Sequence, residues 1–254
     1  MELELWVIVL LGAVFFLTGI MDGISGGGGL ITLPAMLLTG MPPEVALGTN
    51  KFIAYCGVGA SLGSYARSGY VVWKAALTGI PTMALGAVIG AHLVLSLDSE
   101  MIGKVIIFLL PLGILATFMP KRDLGSREMR PLDLYFRLPL VCLVLGVYDG
   151  FFGPGSGTFM TIALHVVVGF GLIPAVATTK LISMAAGIGG LSIYVMRGTV
   201  DFMLVPPLAV CCIAGNIVGS RLAMKVGTGL IRRFLVFSLV LLFASLVWKF
   251  WISG

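Results

Sequence analysis

Charge is what this sequence has least of. Aspartate, glutamate, lysine and arginine together make up 11% of its 254 residues, against 59% hydrophobic residues. A domain that folds in water carries about 25% charged residues, so this chain cannot coat a globule of its size with polar surface. Metal-ligand spacing is also missing. Cys56, Cys142, Cys211 and Cys212 all lie within apolar runs, form no CxxC pair, and read as small buried hydrophobes. There is no GxxxxGK[ST] phosphate loop, so ATP hydrolysis by that route is excluded. No metal and no cofactor is expected. The opening MELELW carries no basic residue ahead of the first apolar run, so a cleaved secretory leader is not expected either.

Apolar runs take the place of charge. They lie at Leu5–Met21, Val71–Leu97, Val105–Met119, Leu138–Val147, Leu172–Val195, Phe202–Ala223 and Phe234–Trp248. Several reach the roughly 18–20 residues that cross a bilayer as helix. The expected fold is all-α, a polytopic membrane protein. Its net charge of +5 is no sign of nucleic-acid affinity, because the basic residues sit in short links between the runs.

The chain also repeats itself. GIMDGISGGG at Gly19–Gly28 aligns with GVYDGFFGPG at Gly146–Gly155, so that Asp22 meets Asp149, Gly26 meets Gly153 and Gly28 meets Gly155. Two residues are inserted later, and GTNK at Gly48–Lys51 then meets ATTK at Ala177–Lys180. The same register pairs Tyr65 with Tyr194, Gly86 with Gly215 and Gly90 with Gly219. Two membrane repeats are expected, 1–120 and 132–254, joined by a cytoplasmic linker at 121–131.

Each half holds a short apolar segment after its glycines, Leu30–Met41 and Thr158–Gly169. If these cross the membrane, each half crosses about five times and the second is inverted; if they dip and return, the halves are parallel. With crossing segments, Arg67, Lys74, Lys121, Arg122, Arg127, Arg130, Arg137, Arg221, Lys225, Arg232 and Arg233 share one side, leaving only Lys104, Arg197 and Lys249 on the other. The positive-inside rule therefore favours inverted repeats in a cell membrane, with the central loop in the cytoplasm and both termini outside.

Four consecutive glycines, Gly26–Gly29, cannot simply extend a helix, since each costs about 1 kcal/mol there relative to alanine. Broken or short helices are expected after both glycine motifs. Their N-termini would carry unpaired N–H groups and partial positive charge, a setting for an anion. The candidate substrate-binding set is Ser25, Gly26, Gly27, Gly28 and Gly29 in the first half, with Gly155, Ser156, Gly157 and Thr158 in the second. The alternative is that the glycines only let helices pack closely.

Lys51 and Lys180 fall inside spans at matching positions, where a lysine costs at least about 2.5 kcal/mol and marks a functional site by default. Each follows polar neighbours, Thr49 and Asn50, or Thr178 and Thr179, and all six join the candidate set. Snorkelling of the lysines to the interface is the alternative. Asp22 and Asp149 either cap the short helices or carry a coupling proton. Tyr65 and Tyr194 read as interfacial anchors, and His165 as a helix-packing residue with a proton relay as the other reading.

These motifs, DGISGGGGLITLP with ALGTNK, then YDGFFGPGSGTF with ATTK, resemble those of the TauE/SafE family of membrane permeases. The resemblance spans essentially the whole chain and implies a small sulfur-containing anion, sulfite or an organosulfonate, as substrate. The leading expectation is a secondary transporter working by alternating access, and an exporter, because the inside-negative potential drives anions outward. An anion channel is the first alternative. An intramembrane serine hydrolase built on Ser156 and His165 is the second, although Pro154 stands where a glycine would be needed. Apart from the small anion and the lipid bilayer, no partner is implied.

Overall fold

The computed structural model describes residues 4–118 and 130–226. The run at Phe234–Trp248 and most of the central linker lie outside them. Among the described residues there is no strand. The elements are α1 (Leu5–Ser25), α2 (Gly29–Leu38), α3 (Pro43–Arg67), α4 (Trp73–Val94), α5 (Ser99–Phe118), α6 (Asp133–Phe151), α7 (Ser156–Val168), α8 (Leu172–Met196) and α9 (Val205–Val226). Five of these, α1, α4, α6, α8 and α9, are long and apolar enough to cross a membrane. The all-α polytopic expectation holds. The short segments come out as α2 and α7, each following a break in the chain at the glycines.

Equivalent elements have equivalent lengths and ends. Helices α3 and α8 are both 25 residues long, and α4 and α9 both 22. Gly26 and Gly153 take φ of 85° and 92° where α1 and α6 stop, a left-handed conformation that only glycine adopts at little cost. Two further left-handed pairs, Gly40 with Gly169 and Gly69 with Gly198, fall on the repeat register.

The helices are held at backbone contact by glycine. A Cβ built on Gly19 would sit 2.7 Å from the Cys212 carbonyl oxygen, and one on Gly219 only 2.0 Å from that of Ile20. This seam joins α1 to α9. Its counterpart joins α4 to α6, where Cβ atoms on Gly90 and Gly150 would meet the carbonyls of Val147 and Ala87 at 2.1 and 2.0 Å. Lipid offers little hydrophobic drive for helix association, so close dispersion contact of this kind is what binds the bundle. Outward faces keep Leu5, Trp6, Val9, Leu77, Val144 and Ile188 exposed, an apolar surface suited to acyl chains.

These contacts fix chain directions. Gly19 lies against Cys212 and Gly23 against Asn216, so α1 and α9 run parallel. Gly48 lies against Thr199 and Gly57 against Cys212 and Asn216, which aligns α3 with them. Helix α4 runs parallel to α6 (Gly86 at Leu143, Gly90 at Val147) and to α8 (Gly79 at Ile182, Gly189 at Val88). Helices α3 and α8 are antiparallel, Gly187 meeting Tyr55 and Gly59 meeting Met184. Hence α1, α3 and α9 point one way, and α4, α6 and α8 the other.

Tyr65 and Tyr194 correct an expectation. Neither is an interfacial anchor: both are fully buried, and their hydroxyls donate to the Gly23 and Gly150 carbonyls at 2.8 and 2.9 Å. A phenol buried in a bundle must find an acceptor, and here each finds one on the helix that carries its own half's glycine motif.

Two stability outcomes follow for the protein in detergent. Gly219→Ala should lower stability by about 3 kcal/mol or more, because backbone rather than a flexible side chain blocks the methyl; Gly63→Ala, which meets nothing within 4 Å, should be neutral or stabilising by up to about 1 kcal/mol. Tyr65→Phe and Tyr194→Phe should each cost about 1 kcal/mol and by similar amounts. Thermal unfolding of the purified variants checks both.

Candidate functional site

Helices α2 and α7 begin where α1 and α6 end, and the two breaks lie against one another. A Cβ on Gly26 would stand 2.8 Å from the carbonyl carbon of Gly157, and one on Gly29 would stand 3.3 Å from the Pro154 Cα. The Thr158 hydroxyl donates across the junction to the Ser25 carbonyl at 3.1 Å. Most of the first N–H groups of the two short helices turn back to nearby carbonyls, Leu30 to Gly27 and Ser156 to Gly153 among them, which leaves those of Gly29 and Gly157 as the donors near this meeting point.

Beside the junction is a cavity of about 570 Å³, open mouth included. Its wall brings together Asp22, Gly26, Gly29, Asn50 and Lys51 with Asp149, Gly155, Ser156, Gly157, Thr179 and Lys180. Residues from both copies of the motif therefore share one chamber. Gly28 lines a smaller neighbouring cavity that also touches Asp22 and Gly29.

Both lysines are buried, Lys51 at 5% exposure and Lys180 at 2%, so neither snorkels. Their ammonium groups cross between the halves instead. Lys51 Nζ donates to the Asp149 backbone carbonyl and pairs with its Oδ2 at 3.8 Å. Lys180 Nζ donates to the Asp22 carbonyl at 2.5 Å and pairs with Oδ2 at 3.1 Å. A charge moved out of water needs a counter-charge and hydrogen bonds, and each lysine finds both at the end of the opposite half's first helix.

The capping expectation for the aspartates gives way to this pairing. The N-caps of α2 and α7 are Gly28 and Gly155, and neither makes a side-chain cap hydrogen bond. Asp149 does accept from Ser156 Oγ at 2.5 Å, but its other oxygen serves the Tyr55 hydroxyl at 2.7 Å and faces Lys51.

Several candidates lie off the cavity wall. Thr49 and Thr178 are fully buried and accept the N–H groups of Asp201 and Val72 at 2.9 and 3.1 Å, which ties α3 and α8 to the starts of α9 and α4. Ser25 bonds back to Met21, Thr158 spans the junction, and Gly27 does not reach the chamber. Asn50 and Thr179 do reach it, and are held from the short helices by Thr32 (2.5 Å) and Thr161 (3.4 Å).

Sequence reasoning missed Tyr55, Gly153, Pro154 and Ser183, all on the wall. Helical spacing could have found two of them. Tyr55 stands four residues after Lys51 and Ser183 three after Lys180, which places each on its lysine's face. Ser156 and His165 do not form a nucleophile and base. Ser156 gives its proton to Asp149, while His165 Nδ1 is engaged 2.5 Å from the Phe170 carbonyl and is not on the wall. Among the described residues no cluster of histidine, cysteine, aspartate or glutamate could hold a metal.

No solved structure matches this chain. Its similarity to other sequences is extensive. It is 37% identical to "Probable membrane transporter protein ORF9" of Sinorhizobium over 223 residues, 87% of this chain and 85% of that one. It is 33% identical to a "Probable membrane transporter protein" of Haemophilus influenzae, covering 98% of this chain and 97% of that one. With "Probable membrane transporter protein YfcA" of Escherichia coli it shares 35% identity over 94% and 90% of the two chains. All three relatives carry names as probable membrane transporters. Residues 11–246 match the model of the sulfite exporter TauE/SafE family, and the chain belongs to that family of membrane transporters.

Proposed function

We propose that this transporter moves a small sulfur oxyanion, sulfite or an organosulfonate, outward across the cell membrane by alternating access of two inverted halves, 1–120 and 132–254, with the linker 121–131 in the cytoplasm. The observation that carries the reading is the shared chamber: two buried lysines, one from each half, beside the starts of two short helices. Two ammonium groups and a ring of hydroxyl and N–H donors suit a compact oxyanion with several acceptor oxygens. The family's description as sulfite exporters supports both the substrate class and the direction.

Chain directions support the inversion. Each sequence-equivalent pair, α1 with α6, α3 with α8 and α4 with α9, points opposite ways. Helices α1 and α3 run the same way, so α2 carries the chain back between them, as a crossing segment would. Tyr65 to Gly23 and Tyr194 to Gly150 repeat one bond within each half, and the contacts between the halves are reciprocal, Lys51 to Asp149 and Lys180 to Asp22, which supports a two-fold relation. Such exchange is what a two-fold axis imposes on an interface. In transporters of this plan the site lies at the junction of the repeats, and rocking of one half against the other exposes it alternately. Export needs no coupling ion, because the membrane potential favours outward movement of an anion by about 2.3 kcal/mol per charge per 100 mV.

The test is anion flux in proteoliposomes under an imposed potential, with sulfite, sulfate, thiosulfate, sulfoacetate and taurine in parallel. Sulfite or a sulfonate should move saturably and show counterflow, and Lys51→Gln and Lys180→Gln should each reduce the flux at least about ten-fold, the loss of one charge-assisted contact. Unsaturable flux without counterflow would make the protein a channel. Flux unchanged in both variants would remove the lysines from the site.

A further inference from the structure

The two half-sites are chemically unequal, and the inequality assigns the anion to one of them. Asp149 is clamped. Its Oδ1 takes the Ser156 hydroxyl at 2.5 Å, its Oδ2 takes the Tyr55 hydroxyl at 2.7 Å, and Lys51 stands 3.8 Å away. Its side chain is 7% exposed. Among the described residues the Asp22 carboxylate is hydrogen-bonded by Lys180 alone, at 3.1 Å, and its side chain is 16% exposed. The difference is written in the repeat register: Tyr55 is replaced by Met184, and Ser156 by Gly29. A carboxylate held by two hydroxyls and an ammonium is harder to displace from its lysine than one held by the ammonium alone.

A second, independent feature lies on the Lys180 side. Ser183 lines the chamber at 8% residue exposure, and its hydroxyl is buried and, among the described residues, has no hydrogen-bond partner. This departs from what many helical hydroxyls in the bundle do. Thr18, Ser61, Thr78, Thr161, Ser192 and Ser220 all return their hydroxyls to a carbonyl three or four residues back. A buried hydroxyl without a partner is costly unless something in the cavity completes it. In the register of the repeat its place is taken by Ala54, which lines the other side of the same chamber and has no donor to offer.

Resting on the anion-transport reading above, we propose that the oxyanion docks on Lys180 and Ser183, displacing the Asp22 carboxylate, while Lys51, Asp149, Tyr55 and Ser156 form a fixed knot that positions the chamber wall. Ser183 is then a substrate-contacting and specificity-determining residue, and Tyr55 a positioning residue. The ligand class is a compact anion whose oxygens accept from an ammonium and a hydroxyl set one helical turn apart.

The test compares sulfite transport by the parent protein, Ser183→Ala and Tyr55→Phe, together with the thermal midpoint of each with and without sulfite. Alanine is at home in a helix and removes a buried hydroxyl that has no partner, so Ser183→Ala should hold or raise the sulfite-free midpoint. It should raise KM about ten-fold, the loss of one hydrogen bond to a charged group, with the maximal rate close to the parent's, and it should shrink the stabilisation by sulfite. Tyr55→Phe should lower the sulfite-free midpoint and leave KM near the parent value. An unchanged KM in Ser183→Ala, or a larger KM rise in Tyr55→Phe, overturns the assignment while leaving anion transport intact. If the parent neither carries nor is stabilised by sulfite or any anion of the panel, the transport reading falls first and this assignment with it.

Discussion

Everything in this bundle answers to two ammonium groups buried among apolar helices. A lysine away from water must have an anionic partner within reach, and neither half supplies one for its own lysine. Lys51 reaches the end of α6 and Lys180 the end of α1. Removing one partner of a buried pair costs about 3–5 kcal/mol, so this crosswise exchange resists separation of the halves. The same groups make the chamber attractive to an incoming anion. Structure and binding thus draw on one set of charges, and a substrate competes with the protein's own carboxylates.

Glycine makes the exchange possible. A Cβ on Gly153 would stand 2.6 Å from Lys51 Nζ, so that ammonium reaches Asp149 only past a glycine, while α1 with α9, and α4 with α6, approach until backbones touch at Gly19, Gly219, Gly90 and Gly150. The motif glycines do a different job. Gly26 and Gly153 turn the chain through a left-handed conformation, and Gly26 and Gly157 let the two breaks abut with no side chain between them. Close packing and site building, alternatives when read from the sequence, are both present and assigned to different glycines.

Much of the fold was legible because bilayer thickness, apolar run length and the internal register are one-dimensional quantities. The run Leu172–Val195 became a helix with its end shifted by one residue, and the starts of others, as at Val105, moved by up to six. Helix α3 was less legible: Thr49, Asn50, Lys51 and Ser61 dilute its hydropathy, and it is long enough to span a membrane but too polar to be picked out by composition. The site was legible where polar residues recur in register, as at Lys51 and Lys180. It was illegible where the halves diverge. Tyr55 and Ser183 have Met184 and Ala54 as counterparts, so symmetry hides them, and only their helical phase relative to the lysines points inward. Thr49 and Thr178 were misplaced for the opposite reason. They recur because each anchors the start of the other half's corresponding helix, Thr49 that of α9 and Thr178 that of α4, and recurrence alone does not separate an anchor from a ligand.

A sulfur oxyanion bound in the chamber between the two glycine breaks would be visible directly. The most direct measurement is an experimental structure with selenite, the heavier analogue of sulfite, located by the anomalous scattering of selenium. A single strong peak is expected inside the chamber, on the Lys180 side, with the Asp22 carboxylate turned away from the ammonium. A peak only at the protein surface, or an empty chamber with Lys180 still paired to Asp22 at saturating selenite, would contradict it.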